Sequence, residues 1–210
     1  MVETGLGRLV ADITALPANA TRHLVALAGP PGAGKSTTGA ALCAALERTG
    51  VRTAVVPMDG FHLDNRVLVQ KGLLDRKGSP DTFDVHGLRR LLDELRMARE
   101  VYHPIFDRSL DLSIAGAGVV AQDCQTVIVE GNYLLCDAPG WAELMPLWSY
   151  TITLHVPQET LERRLVQRWL NHGLDRDAAV ARARNNDLRN AAFITNHSRP
   201  ADCTLDDTAL

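Results

Sequence analysis

The chain has 210 residues, a length that suits one α/β domain or one domain with an insertion. Its net charge is −3 and it contains no basic run, so the charge balance argues against a nucleic-acid partner. No stretch approaches the roughly 20 apolar residues of a membrane-spanning helix, and the first residues do not resemble a signal peptide. The four cysteines show neither C-x-x-C nor zinc-like spacing. These features predict a soluble, cytoplasmic protein with reduced thiols.

Short apolar runs alternate with helical patterns along the chain, which predicts a parallel sheet with crossover helices. Helices are predicted over residues 5–18, 34–49, 85–98, 139–147, 158–172 and 175–190. Strands are predicted over residues 23–28, 52–58, 126–129, 150–156 and 202–205. Residues 59–83 are polar and have no clear period, so they are predicted to form a functional loop, and residues 101–121 to form short extended pieces.

One segment carries a complete phosphate-binding motif. Residues 29–36 have the sequence GPPGAGKS and match G-x-x-x-x-G-K-[ST], with an apolar strand before them and a helix after them. Such a loop turns its N–H groups, and the positive end of the helix, toward a phosphate. Lys35 is predicted to reach the β- and γ-phosphates of ATP, Ser36 to bind Mg²⁺, and Thr37 to contact a phosphate oxygen. The predicted nucleotide-binding residues are Gly29, Pro30, Pro31, Gly32, Ala33, Gly34, Lys35, Ser36 and Thr37.

Two acidic residues follow predicted strands. Asp59 comes after the second strand and Glu130 after the sequence TVIV. Ligands of open parallel sheets bind outside the carboxyl ends of the strands, so both carboxylates are expected near the phosphates. Asp59 is the candidate general base for a hydroxyl group, and Ser36, Glu130 and Asp59 are the candidate Mg²⁺ ligands. Either acid could instead cap a helix or a turn.

Further segments resemble a known family. They are MDGFHLDN (58–65), RKGSPDTFDVHGLRRLLDEL (76–95), HPIFDRSL (103–110) and VIVEGNYLL (127–135). With the phosphate-binding loop they resemble the uridine kinase, phosphoribulokinase and pantothenate kinase group of P-loop kinases, over about residues 20–205. They resemble most its bacterial branch of nucleoside/nucleotide kinase-like proteins linked to fructose transport.

The resemblance implies a three-layer α/β/α fold with a mostly parallel five-stranded sheet and a helical lid. It implies a single domain over residues 1–210, with an acceptor-binding insertion at about 59–121 and a lid at about 158–190. Homodimers occur in this group, and a homodimer is the expectation by analogy.

The resemblance also implies roles for individual residues. Asp59 is then the catalytic base, and Asp107 and Arg108 lie beside the acceptor. Arg164 and Arg168 are four residues apart, so they share a helix face from which they could clamp the transferred phosphoryl group. A solvated helix face is the alternative for both arginines. Leu161, Leu165 and Trp169 are expected to pack inward.

Several other side chains are weaker candidates. Phe61 and His62 could form the acceptor pocket, and Asp84 could bind the acceptor or cap the next helix. Tyr133 could line the pocket or pack in the core. Arg76 and Lys77 could meet substrate or be surface charges. Asn185, Asn186 and Asp187 are weak helix formers within a predicted helix, so they mark either a ligand contact or a helix break.

These observations predict an ATP- and Mg²⁺-dependent kinase that phosphorylates a hydroxyl group of a sugar-like or nucleoside-like small molecule. A pantothenate-type kinase and a non-kinase P-loop nucleotide hydrolase are the alternatives. A GTPase switch is disfavoured because the chain lacks an NKxD-like base reader, and a mechanical ATPase because the chain has no length for coupling elements. The acceptor segment Pro104–Ser109 departs from the uridine kinase pattern, so the acceptor stays open.

Overall fold

The computed structural model describes residues 5–18, 20–97 and 99–206. Its α-helices are α1 (Gly5–Thr14), α2 (Lys35–Arg48), α3 (Asn65–Gln70), α4 (Val85–Leu95), α5 (Gln158–Asn171), α6 (Arg176–Arg182) and α7 (Leu188–His197). Its strands are β1 (His23–Ala28), β2 (Thr53–Pro57), β3 (Val101–Asp107), β4 (Leu112–Val120), β5 (Thr126–Gly131), β6 (Tyr150–His155) and β7 (Cys203–Asp206).

Five parallel strands form the central sheet in the order β2-β5-β1-β6-β7. Ala28 at the end of β1 is in register with Gly131 of β5, and Pro57 of β2 is in register with Glu130. Because these strands run in one direction, their carboxyl ends meet at one edge of the sheet. The predicted five-stranded sheet is confirmed, and Asp59 and Glu130 lie on neighbouring strand ends.

Helices cover both faces of the sheet, which confirms the three-layer architecture. On one face Leu88 and Leu92 of α4 pack with Met58 and Tyr133. The core on the other face includes the following residues of α1, α2 and α5: Leu9, Ile13, Leu42, Leu46, Leu161 and Leu165. The predicted inward packing of Leu161 and Leu165 is confirmed by their exposures of 4% and 0%. The α4 side of the core also contains the aromatic rings of Phe83, Tyr133 and Trp141, and the helices pack on the sheet through their apolar side chains.

The region predicted as a loop contains short helices. A 3₁₀ helix spans Met58–Phe61, α3 follows, and two 3₁₀ turns span Leu74–Arg76 and Pro80–Thr82. These pieces are too short to show a helical period, so the prediction of an irregular loop was wrong.

Residues 101–120 form an antiparallel hairpin of β3 and β4 rather than separate extended pieces. The register shifts between His103 and Ile105, because Pro104 has no N–H to donate to the ladder. Tyr102, Leu110 and Val119 are 64%, 60% and 54% exposed, so the hairpin presents apolar side chains to solvent.

Four predicted helices differ from the structure by more than one residue at an end. The helix predicted over 5–18 ends at Thr14. The helix predicted over 85–98 ends at Leu95, and Ala98 lies outside the described residues. The segment predicted over 139–147 is a 3₁₀ helix at Ala142–Leu147. The helix predicted over 175–190 continues to His197, with a π-helical turn at Ala183–Asp187 between α6 and α7.

The positive charge of Arg22 is almost fully buried, with 3% exposure. Its guanidinium donates hydrogen bonds to backbone carbonyls rather than to a carboxylate. The acceptors are the carbonyls of Cys124, Leu95, Arg99, Ala121 and Gln122, at 2.8, 3.0, 3.3, 2.9 and 3.2 Å. Two of these carbonyls belong to the end of α4 and the segment before the hairpin, and three belong to the segment between the hairpin and β5. The Arg22 side chain therefore links the two segments that flank the hairpin.

Asp84 is the N-cap of α4, since its Oδ1 accepts a hydrogen bond of 2.7 Å from the N–H of Gly87. Replacing Asp84 by alanine should lower the free energy of unfolding by about 1 kcal/mol, because the cap is lost. Urea unfolding would measure the change. Asp93→Ala on the exposed face of α4 is the control, and an equal loss in both variants would contradict the capping role.

None of the helices in the described part of the chain has both the length and the apolar content needed to cross a bilayer.

Candidate active site

The phosphate-binding loop has the backbone geometry that its glycines allow. Gly32 and Gly34 have φ angles of +80° and +89°, a region that disfavours residues with a Cβ atom. Gly34 is the N-cap of α2, and glycine has no side chain to occupy the first turn of that helix. The N–H groups at the start of α2 therefore remain available to an anion.

Lys35 and Glu130 are buried at the base of the site. The Nζ of Lys35 donates to the carbonyl of Pro30 at 2.9 Å. Burial lowers the pKa of Lys35 to about 8, and the negative charges of Glu130 and Asp59 oppose this shift. Burial also raises the pKa of Glu130, against the positive charge of Lys35. The two groups therefore stabilise each other's charge at the carboxyl edge of the sheet.

The side chains of Ser36 and Glu130 contact each other. The hydroxyl of Ser36 donates a hydrogen bond of 2.9 Å to Oε1 of Glu130. A hydroxyl and a carboxylate oxygen are donors that suit Mg²⁺, which takes few protein ligands and completes its shell with phosphate oxygens and water. In the described residues no group of three or more His, Cys, Asp or Glu side chains forms a metal site. The residues present thus fit a Mg²⁺ ion that arrives with a nucleotide.

Asp59 follows β2 and faces the hairpin. Its Oδ2 accepts a hydrogen bond of 2.7 Å from Nη2 of Arg108, which lies in the turn after β3. The close approach depends on Gly60, because a Cβ atom there would lie 2.2 Å from the carbonyl oxygen of Pro104. The glycine after the acid therefore allows the hairpin to reach Asp59.

His62 is held between two aromatic rings, with centroid distances of 4.1 Å to Phe83 and 4.6 Å to Phe106. Its Nδ1 lies 2.8 Å from the carbonyl oxygen of Asp59. A carbonyl can only accept, so Nδ1 carries the proton and Nε2 remains a hydrogen-bond acceptor. Burial lowers the pKa of His62, which favours this neutral form.

Helices α5 and α6, which follow β6, contribute arginine side chains to the cleft. Arg168 of α5 and Arg182 of α6 line the cleft beside Trp169, and Arg182 lies 5.3 Å from the centre of the Trp169 ring. Trp169 is partly buried and donates from Nε1 to Oδ2 of Asp187 at 2.6 Å. Arg164 lies outside the lining of the cleft, with Nη1 3.5 Å from the carbonyl of Gly32.

Lys77 forms another wall of the cleft, with a side chain that is only 10% exposed. Its Nζ contacts Oδ1 of Asp111 at 2.9 Å and Oδ1 of Asn65 at 2.7 Å, and lies 5.0 Å from the centre of the Phe106 ring. The backbone carbonyl of Lys77 accepts a hydrogen bond from Asn186 of the π-helical turn. Residues from three distant segments therefore meet here.

These parts enclose one cleft of about 340 Å³. Predicted site residues and weaker candidates that line it are Pro31, Gly32, Gly34, Lys35, Ser36, Thr37, Asp59, His62, Lys77, Arg108, Glu130, Arg168, Asn186 and Asp187. Lining residues that had no predicted site role are Gly78, Phe83, Phe106, Asp111, Asn132, Trp169, Arg182 and Asn190. Phe83, Phe106 and Asn132 stand in the segments that carry the family resemblance, whereas Asp111, Arg182 and Asn190 lie outside them and reach the cleft through tertiary packing.

Other predicted site residues do not line the cleft. Phe61 is 9% exposed and packs in the core, and Tyr133 is fully buried with its hydroxyl donating to the carbonyl of Gly78 at 2.5 Å. Asp84 caps α4 as described. Oδ1 of Asp107 accepts hydrogen bonds from the turn that follows it, including one from the N–H of Ser109 at 2.8 Å. Three residues of the phosphate-binding loop are not among those that line the cleft: Gly29, Pro30 and Ala33.

The fold and the site define a P-loop nucleotide-binding protein. No family model matches the chain. A crystal structure from Silicibacter sp. TM1040, described as a "putative fructose transport system kinase", is 52% identical, covers 95% of this chain and 98% of its own, and has a TM-score of 0.93. "Putative uridine kinase C227.14" of Schizosaccharomyces pombe is 32% identical over 200 residues, which are 90% of this chain and 85% of that protein. The pantothenate kinase of Enterococcus faecalis is 30% identical over 150 residues, 70% of this chain and 49% of that protein.

The chain belongs to the P-loop kinases of the uridine kinase-like and pantothenate kinase group. It is a small-molecule phosphotransferase with an alcohol group as acceptor. The resemblance found in the sequence and the predicted enzyme class are thereby confirmed.

Proposed function

We propose that the protein transfers the γ-phosphoryl group of ATP to a hydroxyl group of a sugar-like or nucleoside-like acceptor, with Asp59 as the general base. The observation that carries this proposal is the single cleft that Asp59 shares with Lys35 and with the Ser36–Glu130 pair. A base, a phosphate-binding lysine and metal-binding oxygens in one cleft are what transfer to an alcohol requires.

In the proposed reaction the acceptor hydroxyl lies between the carboxylate of Asp59 and the γ-phosphorus. Asp59 takes the hydroxyl proton as the O–P bond forms, the bond between the γ-phosphorus and the bridging oxygen breaks, and ADP leaves. Ser36 and Glu130 would hold Mg²⁺, which supplies charge neutralisation at the phosphates when it is bound. Lys35 would bind the β- and γ-phosphate oxygens.

Arg108 orients the proposed base, because its Nη2 donates a hydrogen bond of 2.7 Å to Oδ2 of Asp59. We assign residues 59–121 as the acceptor-binding insertion, since Asp59, His62, Lys77 and Arg108 all line the cleft from that segment. Residues 158–190 form the proposed lid, which contributes Arg168 and Arg182.

A coupled assay of ADP release tests the function. Wild-type protein with ATP and Mg²⁺ would be screened against sugars, nucleosides and vitamins including pantothenate, with EDTA as the control. We expect ADP release that depends on one acceptor, and a phosphate ester of that acceptor by ³¹P NMR. ADP release at the same rate without any acceptor would favour a P-loop hydrolase and overturn the proposal. Turnover on pantothenate alone would favour the pantothenate-type alternative, which the match to pantothenate kinases supports.

Arg168 is proposed to stabilise charge on the transferred phosphoryl group, because it lines the cleft. Arg168→Ala should lower kcat by about 100-fold, as loss of one charged donor in a transition state does. Arg163→Ala on the same helix is the matched control, since Arg163 is exposed and outside this cleft. Arg164→Ala is expected to have an effect between the two. An unchanged kcat in Arg168→Ala would contradict the role.

The protein is proposed to act in the cytoplasm on a small molecule and not on a nucleic acid, which the net charge of −3 supports. The exposed apolar side chains of the hairpin, including Tyr102 and Val119, support the expected homodimer. Analytical ultracentrifugation would test it, and a monomer at micromolar concentration would contradict it.

A further inference from the structure

Asn186 lines the cleft and has one buried side-chain oxygen without a hydrogen-bond partner in the described residues. The residue is 5% exposed and lines the cleft from the π-helical turn at Ala183–Asp187. Its Oδ1 is buried and has no hydrogen-bond partner in the described residues. A buried acceptor without a partner is unfavourable, so a ligand that donates to it would recover the lost hydrogen bond.

The orientation of the Asn186 amide is fixed by its other end. Nδ2 donates a hydrogen bond of 3.0 Å to the carbonyl oxygen of Lys77. A flipped amide would place Oδ1 against that carbonyl, so two acceptors would face each other with no proton between them. The end of the amide that remains without a partner is therefore the acceptor Oδ1, and not the donor Nδ2.

The backbone supports a role in binding rather than in packing. A π-helical turn weakens the regular hydrogen-bond ladder of a helix, and such turns occur often at functional sites. Asn185 in the same turn is exposed, whereas Asn186 and Asn190 are buried with exposures of 5% and 3% and both line the cleft. The turn thus directs amide side chains into the cleft, where a helix interior would favour apolar ones.

A second fixed acceptor lies across the cleft. In the neutral ring, Nδ1 of His62 donates to the carbonyl of Asp59, so Nε2 is the hydrogen-bond acceptor. Phe83 and Phe106 hold the ring in place. An acceptor molecule in this cleft therefore meets two hydrogen-bond acceptors, Asn186 Oδ1 and His62 Nε2, in addition to the carboxylate of Asp59. A ligand with several hydroxyl groups matches this arrangement.

We propose that Asn186 is a specificity-determining residue whose Oδ1 accepts a hydrogen bond from a second sugar hydroxyl of the acceptor, distinct from the one that is phosphorylated. The proposal rests on the proposed kinase function and deepens it, because it commits the acceptor to a sugar or a nucleoside with at least two hydroxyl groups. A carboxylate or phosphate at this position would be rejected, since neither donates when ionised.

The test uses two probes, D-fructose and uridine, each with its monodeoxy and monofluoro analogues. Fluorine replaces a hydroxyl with little change in size but cannot donate a hydrogen bond. For the probe that the wild-type protein phosphorylates, one position other than the reacting hydroxyl should lose about 10- to 100-fold in kcat/KM in both the deoxy and the fluoro analogue. A fluoro analogue that keeps the wild-type kcat/KM at every such position would overturn the proposal without any variant.

Asn186→Leu identifies the partner of that hydroxyl. In this variant the parent probe should lose about 10- to 100-fold in kcat/KM, and the deoxy and fluoro analogues should lose little further. Asn185→Leu is the matched control and should discriminate the analogues as the wild type does. If Asn186→Leu still discriminates them by the full factor, Asn186 is not the partner and the proposal fails.

Different experimental results would overturn this inference and the proposed kinase function. Absence of acceptor-dependent turnover on any compound overturns the proposed function. Acceptor-dependent turnover confined to compounds that are neither sugars nor nucleosides leaves the kinase function standing and overturns the commitment to a sugar hydroxyl. Should Asn186→Leu fail to fold, as thermal unfolding would show, the fluoro series on the wild-type protein still decides the proposal.

Discussion

Asp59→Asn is expected to lower kcat by about 10²- to 10⁴-fold, because asparagine cannot take the proton of the acceptor hydroxyl. The change keeps the shape of the side chain and leaves the phosphate-binding loop untouched. The Kd for ATP should therefore stay within a few-fold of the wild-type value. Steady-state ADP release measures kcat, and isothermal titration with a non-hydrolysable ATP analogue measures the Kd.

Two comparisons make the Asp59 result interpretable. Asp75→Asn removes an exposed carboxylate from the same insertion and should leave kcat unchanged. Arg108→Met removes the hydrogen bond that orients the carboxylate of Asp59, and it should lower kcat less than Asp59→Asn does because the base itself remains. Near-normal turnover of Asp59→Asn would exclude the base assignment.

Arg22→Met is expected to destabilise the fold more than any other single change discussed, by about 3–5 kcal/mol. The substitution removes the guanidinium from five backbone carbonyls while the methionine side chain fills similar space. The hydrogen bonds to the carbonyls of Cys124 and Leu95 are buried, so these two acceptors would lose the arginine donor away from water, whereas the carbonyl of Ala121 keeps the N–H of Cys124. The melting temperature should fall by roughly 10 °C for a chain of this size, as differential scanning calorimetry would show.

Arg22→Lys should lose less stability than Arg22→Met, because an ammonium group keeps a charge and three donors but cannot reach all five carbonyls. Arg96→Met removes an exposed arginine and is the surface control. If Arg22→Met unfolded with the same midpoint as Arg96→Met, the carbonyl contacts would not contribute to stability.

The sheet could be predicted from the sequence because its strands are nearly continuous apolar runs, such as HLVALA and TVIV. The hairpin could not be predicted as such, since β4 has the sequence LSIAGAGVV, which neither alternates nor carries a turn signal of its own. The helix predicted to end at residue 190 continues to His197, and a helix break was one of two interpretations of the polar residues Asn185–Asp187 within it. They mark a change of helix type instead.

The phosphate side of the site could be predicted, and the acceptor side only in part. Lys35, Ser36 and Thr37 stand at fixed spacings in one motif, and the strand ends give Asp59 and Glu130. Lys77 and Asp111 are 34 residues apart and meet only after the hairpin folds over the insertion. Their pairing depends on tertiary contacts that no local pattern encodes.

The π-helical turn has a consequence for the comparison of related chains. Such a turn corresponds to an α-helix that has gained one residue. Since each residue advances an α-helix by about 100°, every side chain after the turn is rotated by that amount relative to an uninterrupted helix. The position of Asn190 at the cleft therefore depends on the number of residues in the turn before it, as well as on its amino-acid type. A relative with one residue fewer between Arg182 and Leu188 would turn another face of α7 to the acceptor, so a gap in an alignment there would signal changed specificity even where the letters agree.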